Sequence, residues 1–582
     1  MSNISLSLWR KERKYIILRL LNTFIRERLI DFKTLNTKEK LLFSLSLETK
    51  YIQTKINNNI YLFEVKDEKF LQTIKITNYQ WSVINEKKEV QKSSNVIQLI
   101  KAIFHNFQMN SQEDHHILNL SIDEYKQSVL QHIICQNNIS KNMKYNKNSI
   151  YYYDYIAAFL DHPLYPTARA KLGFNQNELL TYTIENQAEF KLQWLAIEKK
   201  HIQNQGDLAF FWPNANNLGF NHHLNKTHFL LPFHPKMKQM VIDNLNAENI
   251  PFILAQNEYL TVLATLSVRT VIIKDYPQFH IKLPLNIRTL STKNIRTIKA
   301  STINDGHQVQ SILKNIIAMD NSFINKVYLT DESTGGSINK NPVLGYILRQ
   351  YPKEINHKNI IPIAAFCANE DNYLVIENIA KNHFNGNLLE FLQKYIDLSL
   401  KVHLKLVLKY GIALEANQQN SMLVIDPKTK ELSLLFKDND SARIDKSKLE
   451  QIDNKNIKNL VNQIKDKRII EANENALIQM FTTIILQLNI SCILEALVNK
   501  NLIKRQDAYL MLRNLLIFNL NDLENEGINT QFIRTYLLDS DYLDIKYLYT
   551  SGTFLPKSAT KASDINKFYG KTAPNFLRIE NE

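Results

Sequence analysis

Three clusters along the chain carry side chains suited to holding an anionic, oxygen-rich ligand. Ser267-Val268-Arg269-Thr270 sets two hydroxyls beside a guanidinium, and Lys282, Thr292 and Arg296 follow soon after. Arginine clamps phosphate or carboxylate in a bidentate fork, whereas lysine acts as a point charge. Alternation along a strand predicts Ser267 and Arg269 on one face, with Thr270 at its end. A second cluster, His162-Pro163-Leu164-Tyr165-Pro166, is stiffened by two prolines and followed by Arg169, Lys171, Gly173 and Phe174. It offers two polar tips, His162 and Tyr165, beside two cations. In the third, Glu415-Ala416-Asn417-Gln418-Gln419-Asn420 follows the apolar run Tyr410–Leu414. Amides and a carboxylate are costly to bury without partners, so this block suits a polar cleft better than a core. Downstream, Asp438 and Glu415 form a pair of carboxylates able to share Mg²⁺, an ion that favours carboxylates together with phosphate oxygens. Each cluster alone also fits an ordinary strand face, structural turn or exposed loop.

The elements that must position these residues fall into three stretches. Residues 1–150 are predicted to be mainly helical, with Ile17, Leu20, Leu21, Phe24 and Ile25 at helical spacing and a strand over Asn59–Val65. The polar, tyrosine-rich run from Asn142 to Asp154 is expected to link them to the next part. Residues 151–375 show short apolar runs broken by Pro and Asn, predicting a mostly antiparallel sheet; Asp331–Ser337 is expected to be a flexible loop. Helical periodicity returns over 376–582, so the fold class is α+β. A chain of 582 residues exceeds what one core serves, at about 150 residues per domain.

Composition removes several classes of function. The 12 glycines include no P-loop and no dinucleotide fingerprint, so side chains must contact any bound phosphates. The formal charge is +14, but the lysines are scattered and no long basic block occurs, which argues against nucleic acid and suits attraction of small anions. Cys135, Cys367 and Cys492 match no zinc or redox spacing, and the histidines form no zinc motif. The charged N-terminus is unlike a signal peptide, and Thr482–Val498 is interrupted by Gln487, Asn489, Ser491 and Glu495, arguing against a membrane span. These features predict a soluble, cytoplasmic protein.

Taken in order, the clusters resemble the NRPS-independent siderophore synthetases, the aerobactin-synthetase-like IucA/IucC family. His162 to Phe174 resembles the family's H-P-x-H-P-x-x-K-x-R-x-G-F, and Pro232 to Met237 its P-x-H-P-W-Q. Ser267 to Thr270 is its S-x-R-T. Lys282-Leu283-Pro284-Leu285 with Thr292 and Arg296 resembles K-L-P-L followed by T-x-x-x-R. Gly411 to Asn420 is similar to h-G-I-a-x-E-a-H-x-Q-N, Lys437-Asp438 to R-D, and Pro556-Lys557 to a late P-x-K. The resemblance implies a cupped hand of thumb (1–150), fingers (151–375, a central mostly antiparallel sheet) and palm (376–582, largely helical). It further implies an ATP- and Mg²⁺-dependent, AMP-forming ligase. Such an enzyme adenylates a carboxylate of citrate or a related polycarboxylate and passes the acyl group to an amine or hydroxyl. By carry-over, Ser267, Arg269, Thr270 and Lys282 hold the phosphates, and Gln419 and Asn420 line the nucleotide site. Thr292 and Arg296 contact the acid, while His162 and Asn417 occupy positions of family histidines or their neighbours in the catalytic set. By the same carry-over Glu415 and Asp438 would hold Mg²⁺, and since members of the family often pair through the palm, the resemblance leaves a homodimer open. The sequence departs from the family at Tyr165 and Asn417, each in place of a histidine, and at Ile376 in place of the arginine of R-E-N. These departures raise a second reading, a catalytically weakened binding or scaffolding subunit.

Overall fold

A computed structural model describes residues 6–578 except 110, 139–142, 148, 471 and 561–567. Helix Leu6–Arg26 buries the predicted stripe Ile17, Leu20, Leu21, Phe24 and Ile25. It packs with helix Gln112–Asn138 against a six-stranded antiparallel sheet over residues 33–93. The predicted strand is the second arm of a hairpin, Lys50–Ile56 with Asn59–Asp67. Its turn holds Asn57 at φ 53°, a left-handed conformation that asparagine tolerates.

The tyrosine-rich run is not a linker. Residues 150–157 form a helix, capped by the Ser149 hydroxyl on the Tyr152 N–H, whose Tyr151, Tyr152, Tyr153 and Tyr155 are buried in the largest core. Asn142 itself lies outside the described residues. The polarity of the phenol tip misleads here, because the ring brings far more apolar area to a core than its hydroxyl costs.

The central sheet has nine strands, all antiparallel neighbours, running from Phe252–Leu254 at one edge to Ile202–Gln205 at the other. Its middle strands, Thr270–Ile273 and Phe279–Lys282, are buried on both faces, which is why they appear as short continuous apolar runs. The expected flexible loop is instead a strand of this sheet. Asp331–Ile338 pairs with Gly345–Gln350 on one side and Ile202–Gln205 on the other. Gly335 is required there: a Cβ would lie 2.9 Å from the Tyr346 carbonyl.

A four-stranded sheet joins Val327–Leu329, Leu432–Phe436, Ser421–Ile425 and Asn359–Pro362, with the first pair parallel. The C-terminal part is dominated by helices Leu388–Leu408 and Arg505–Asn525 and by a continuous helical run over residues 474–499. That run is long and apolar enough to cross a membrane, but 89% of its apolar window is buried inside the protein. Its middle, Phe481–Ser491, is wound as a π-helix, a form that concentrates at functional sites. Helix Val375–His383 spans the expected boundary at 375/376, and the core that receives it extends from Tyr151 to Leu577.

Candidate active site

A cavity of about 380 Å³ opens where the central sheet, the 415–441 segment, the π-helix and strand Tyr542–Lys546 meet. Ser267 and Arg269 reach it from a tight turn rather than from a strand face, because strand Thr270–Ile273 starts only after them. Val268 sits between them at φ 64°, and the Arg269 N–H bonds back to the Ser267 carbonyl at 2.8 Å. A β-branched residue in this region is strained, and the strain turns two successive polar side chains toward one space. Lys282 enters from the adjacent strand, where it pairs in register with Thr270.

The 415–420 block is a braced turn. The Asn417 side-chain carbonyl accepts the Gln419 and Asn420 N–H groups at 3.0 and 3.1 Å. Asn489 donates to the Ala416 carbonyl and Gln418 to the Leu488 carbonyl, both at 2.7 Å. Gln487 donates to the Asp544 carbonyl at 2.7 Å and so ties in strand Tyr542–Lys546. The amides that interrupt the apolar run are therefore the brackets of the cavity wall. Asp438, at φ 55°, opens the turn Asn439–Ser441 that carries Asp440 into the same space.

Six basic side chains (Arg269, Lys282, Arg296, Lys299, Arg468, Lys546) and three acidic ones (Glu415, Asp438, Asp440) line the cavity. Lys282 Nζ lies 2.6 Å from Asp438, whose same oxygen is 2.8 Å from Arg349 Nη2. Arg349 also meets Glu332 at 2.7 Å. Burial alone would raise the Asp438 pKa, but Arg349 and Lys282 outweigh it and hold the carboxyl well below its usual range. Asp440 moves the other way, raised by burial and by the Asp438 and Glu332 charges against the opposing pull of Lys282. Arg296 donates to the Thr289 hydroxyl at 2.6 Å and to its carbonyl at 3.2 Å. Burial, then repulsion from Arg269, pulls Arg296 down to about 10, so it stays charged at neutral pH. Arg269 donates to the Thr297 carbonyl at 2.6 Å, which fixes both arginines on one loop.

His162 lines this cavity and a second one of about 350 Å³ beside it. Its Nδ1 accepts the Leu164 and Tyr165 N–H groups at 3.2 and 3.0 Å. Burial, then the Arg19 and Arg26 charges, lowers its pKa to about 3. The ring is therefore neutral near pH 7, with its proton on Nε2, a hydrogen-bond donor rather than a base. The second cavity shares Ser267, Arg296, Asn417, Gln419 and Leu488 with the first, and is otherwise walled largely by apolar side chains such as Ala157, Leu266, Val268 and Ile363. The cations of the second sequence cluster are committed to ion pairs at its edge, Arg169 with Asp161 at 2.9 Å and Lys171 with Glu185 at 2.6 Å.

Of the residues predicted from sequence, Ser267, Arg269, Lys282, Arg296, Glu415, Asn417, Gln419, Asn420, Asp438 and His162 share this one cavity. Two do not line it. Thr270 is buried behind Ser267, its hydroxyl 3.3 Å from the Ser267 hydroxyl. Thr292 is also buried, its N–H on the Thr553 hydroxyl at 3.2 Å, while Thr289 is the hydroxyl that contacts Arg296. Tyr165 is a structural tyrosine: its hydroxyl bonds Glu124 at 2.8 Å and Thr553 at 2.6 Å. The Lys557 side chain of the late P-x-K lies outside the described residues. Sequence reasoning missed Arg349, Asp440, Arg468 and Lys546, none of which stands in a local motif.

Residues 156–368 match the IucA / IucC family, and residues 389–548 match the ferric iron reductase FhuF-like transporter family. The IucA / IucC match covers the stretch that carries Ser267, Arg269, Lys282 and Arg296. Among curated relatives it is 26% identical to staphyloferrin A synthase of Staphylococcus aureus over 49% of this chain and 51% of that one. It is 22% identical to the citryl-spermidine/3,4-dihydroxybenzoyl-citryl-spermidine:spermidine ligase of Bacillus anthracis, over 71% and 69%. The chain thus spans about half the length of the first of these relatives. The fold is that of the petrobactin biosynthesis protein AsbB of Bacillus anthracis, with TM-score 0.74, 16% identity and 98% and 96% of the two chains covered. It is equally that of ATP-bound aerobactin synthetase IucA of Klebsiella pneumoniae, with TM-score 0.71, 14% identity and 97% and 99% covered.

The family departures have local explanations. Asn417 caps its turn through a side-chain oxygen, as His162 Nδ1 does for residues 164 and 165 and His234 Nδ1 for the Lys236 N–H. Asparagine and histidine are interchangeable in that role, since each offers one acceptor at similar reach. Ile376 is fully buried in the core, where an unpaired guanidinium would be costly. As for a metal, no three His, Cys, Asp or Glu side chains gather at binding distance among the described residues. Glu415 and Asp438 face one cavity, however, and Mg²⁺ typically takes only one or two carboxylates and completes its shell with water and phosphate oxygens, so the donor set fits.

Proposed function

We propose that this chain is an ATP-dependent, AMP-forming synthetase. It activates a carboxylate of citrate or a related acid and joins it to an amine or hydroxyl. The observation that carries this reading is the convergence of Arg269, Lys282 and Arg296 with Glu415 and Asp438 on one cavity whose cations outnumber its acids. In this reading Arg269, Lys282 and the Ser267 hydroxyl hold the triphosphate, and the adjoining apolar cavity seats the nucleoside. Arg296, buttressed by Thr289, orients the acid so that one carboxylate oxygen attacks the α-phosphorus in line as pyrophosphate leaves. The amine or hydroxyl then attacks the acyl carbon, and AMP departs with the bonding pair. Neutral His162 donates a hydrogen bond from Nε2 to developing negative charge. The buried guanidinium and ammonium groups act in a low-dielectric site, where fixed charge stabilises a transition state most effectively. Mg²⁺, held by Glu415 and Asp438 together with phosphate oxygens, would neutralise the leaving pyrophosphate.

ATP–pyrophosphate exchange on purified protein with Mg²⁺, across a panel including citrate and 2-oxoglutarate, tests the proposal. Acid-dependent exchange is expected, and Arg269→Ala should abolish it in a folded protein. Silence with every acid, in protein that still binds ATP, would overturn it in favour of a binding or scaffolding role.

A further inference from the structure

Helix Leu6–Arg26 buries its apolar stripe on one face and carries Tyr15, Arg19, Thr23 and Arg26 on another, each about one turn from the next. This polar strip lies along the His162 turn. Arg19 Nη2 donates to the His162 and Tyr165 carbonyls, both at 2.6 Å, and Arg19 Nε to the Pro166 carbonyl at 3.2 Å. Arg26 Nη2 donates to the Leu164 carbonyl at 2.7 Å and to the Thr23 hydroxyl at 3.0 Å. The Tyr15 hydroxyl donates to Asp161, the residue before His162, at 2.7 Å, and its ring lies 5.6 Å from the Arg19 guanidinium. The turn depends on donors from elsewhere. Pro163 and Pro166 have no N–H, and the Leu164 and Tyr165 N–H groups are spent on His162 Nδ1. Two guanidinium groups, between 138 and 147 positions away in sequence, therefore take four of the turn's carbonyls. A planar guanidinium fixes the spacing of the oxygens it bridges, which a point charge does not. The same two charges add to the burial that keeps the His162 ring neutral.

We propose that Arg19 is a positioning residue for the adenylation step: with Arg26 it holds the 162–166 turn in the shape that presents His162 to the cavity. The first helix thus acts on the reaction without touching substrate. The inference rests on the synthetase reading above, in which His162 donates to developing negative charge. Among the described residues none before Ala157 lines either cavity, so a contact of this kind is how the N-terminal part reaches the site. Without the Arg19 fork three carbonyls lose their donor, and the turn must re-form around other partners.

The test is a double-mutant cycle on the full chain, read by ATP–pyrophosphate exchange with the acid of the panel that supports it. Arg19→Met should lower kcat about tenfold and leave KM for ATP and for the acid within about threefold, because the contact it disturbs is made only in the transition state. In the His162→Ala background the same change should cost less than about twofold, since the group it positions is gone. Arg19→Lys keeps the charge without the fork and should lose about threefold, again only where His162 is present. Amide hydrogen exchange read by mass spectrometry needs neither a variant nor activity: in the wild-type chain the Leu164 and Tyr165 amides should be protected. In Arg19→Met they should exchange at least about tenfold faster. Equal losses in both backgrounds, a raised KM with unchanged kcat, or unprotected Leu164 and Tyr165 amides in the wild-type chain would each overturn the proposal. Faster exchange of those amides in Arg19→Met, where the wild-type chain binds ATP but shows no pyrophosphate exchange, would uphold the clamp while refuting the synthetase reading.

Discussion

Replacing Arg349 by methionine isolates the ion-pair network beneath the candidate site. Arg349 is 1% exposed and holds Glu332 at 2.7 Å and Asp438 at 2.8 Å. Methionine fills much of the same volume but leaves two carboxylates with one ammonium, Lys282. Removing one partner from a buried pair costs about 3–5 kcal/mol, and little screening relieves it at this depth. Asp438→Asn removes the opposing charge, so the double variant should cost about 1–3 kcal/mol less than the sum of the singles. Urea unfolding followed by tryptophan fluorescence reads this locally, because Trp212 packs on Tyr346, in the strand that carries Arg349, with centroids 5.0 Å apart. The pH dependence has a definite sign. Asp438 is held below its unfolded value, so its contribution is present above the ordinary carboxyl range and is lost as pH falls through the depressed value. Arg349→Met should move that acid limb to higher pH. A single-variant loss under about 1 kcal/mol, or strict additivity in the double variant, would refute the argument that the network is a coupled buried unit.

Two further outcomes follow from the hydrogen bonding of the turns. Asn417→His should preserve or raise acid-dependent exchange, since a histidine Nδ1 already caps the turns at His162 and His234; complete loss in a folded protein would show that the Asn417 amide does more than cap. His162 has its pKa lowered to about 3 and stays neutral through the working range. The exchange rate should therefore show no limb near pH 6.5 that disappears in His162→Asn, and such a limb in a pH–rate series would refute the burial argument.

The stripe on helix Leu6–Arg26, the strand at Asn59 and the antiparallel character of the middle stretch were all legible from local pattern, whereas the gathering of the twelve candidate side chains, ten of which line one cavity, came from the family resemblance. They were legible because period, turn residues and charge type are properties of a few adjacent residues. Other readings failed where a neighbour distant in sequence decided the outcome. Asp331–Ser337 reads as a loop because its glycines and hydroxyls suit one, yet two flanking strands make it a strand that only glycine can pack. The tyrosines at 151–155 read as polar until a core covers their rings. Thr292 carries the motif, but the packing of residues 291–293 on Gly552 and Thr553 turns it away and leaves Thr289 on Arg296.

The sequence by itself determined which side chains were available to hold phosphate and carboxylate, and that no glycine-rich phosphate loop could do so. The tertiary structure alone decided that Lys282 meets Asp438 across 156 positions, that Arg349 holds the same Asp438 oxygen, and that Lys546 comes within 3.8 Å of Glu415. The physical reason is that a buried charge is tolerable only beside its partner. Long-range pairing therefore sets the site's final geometry, and no local pattern records which distant strand will supply it.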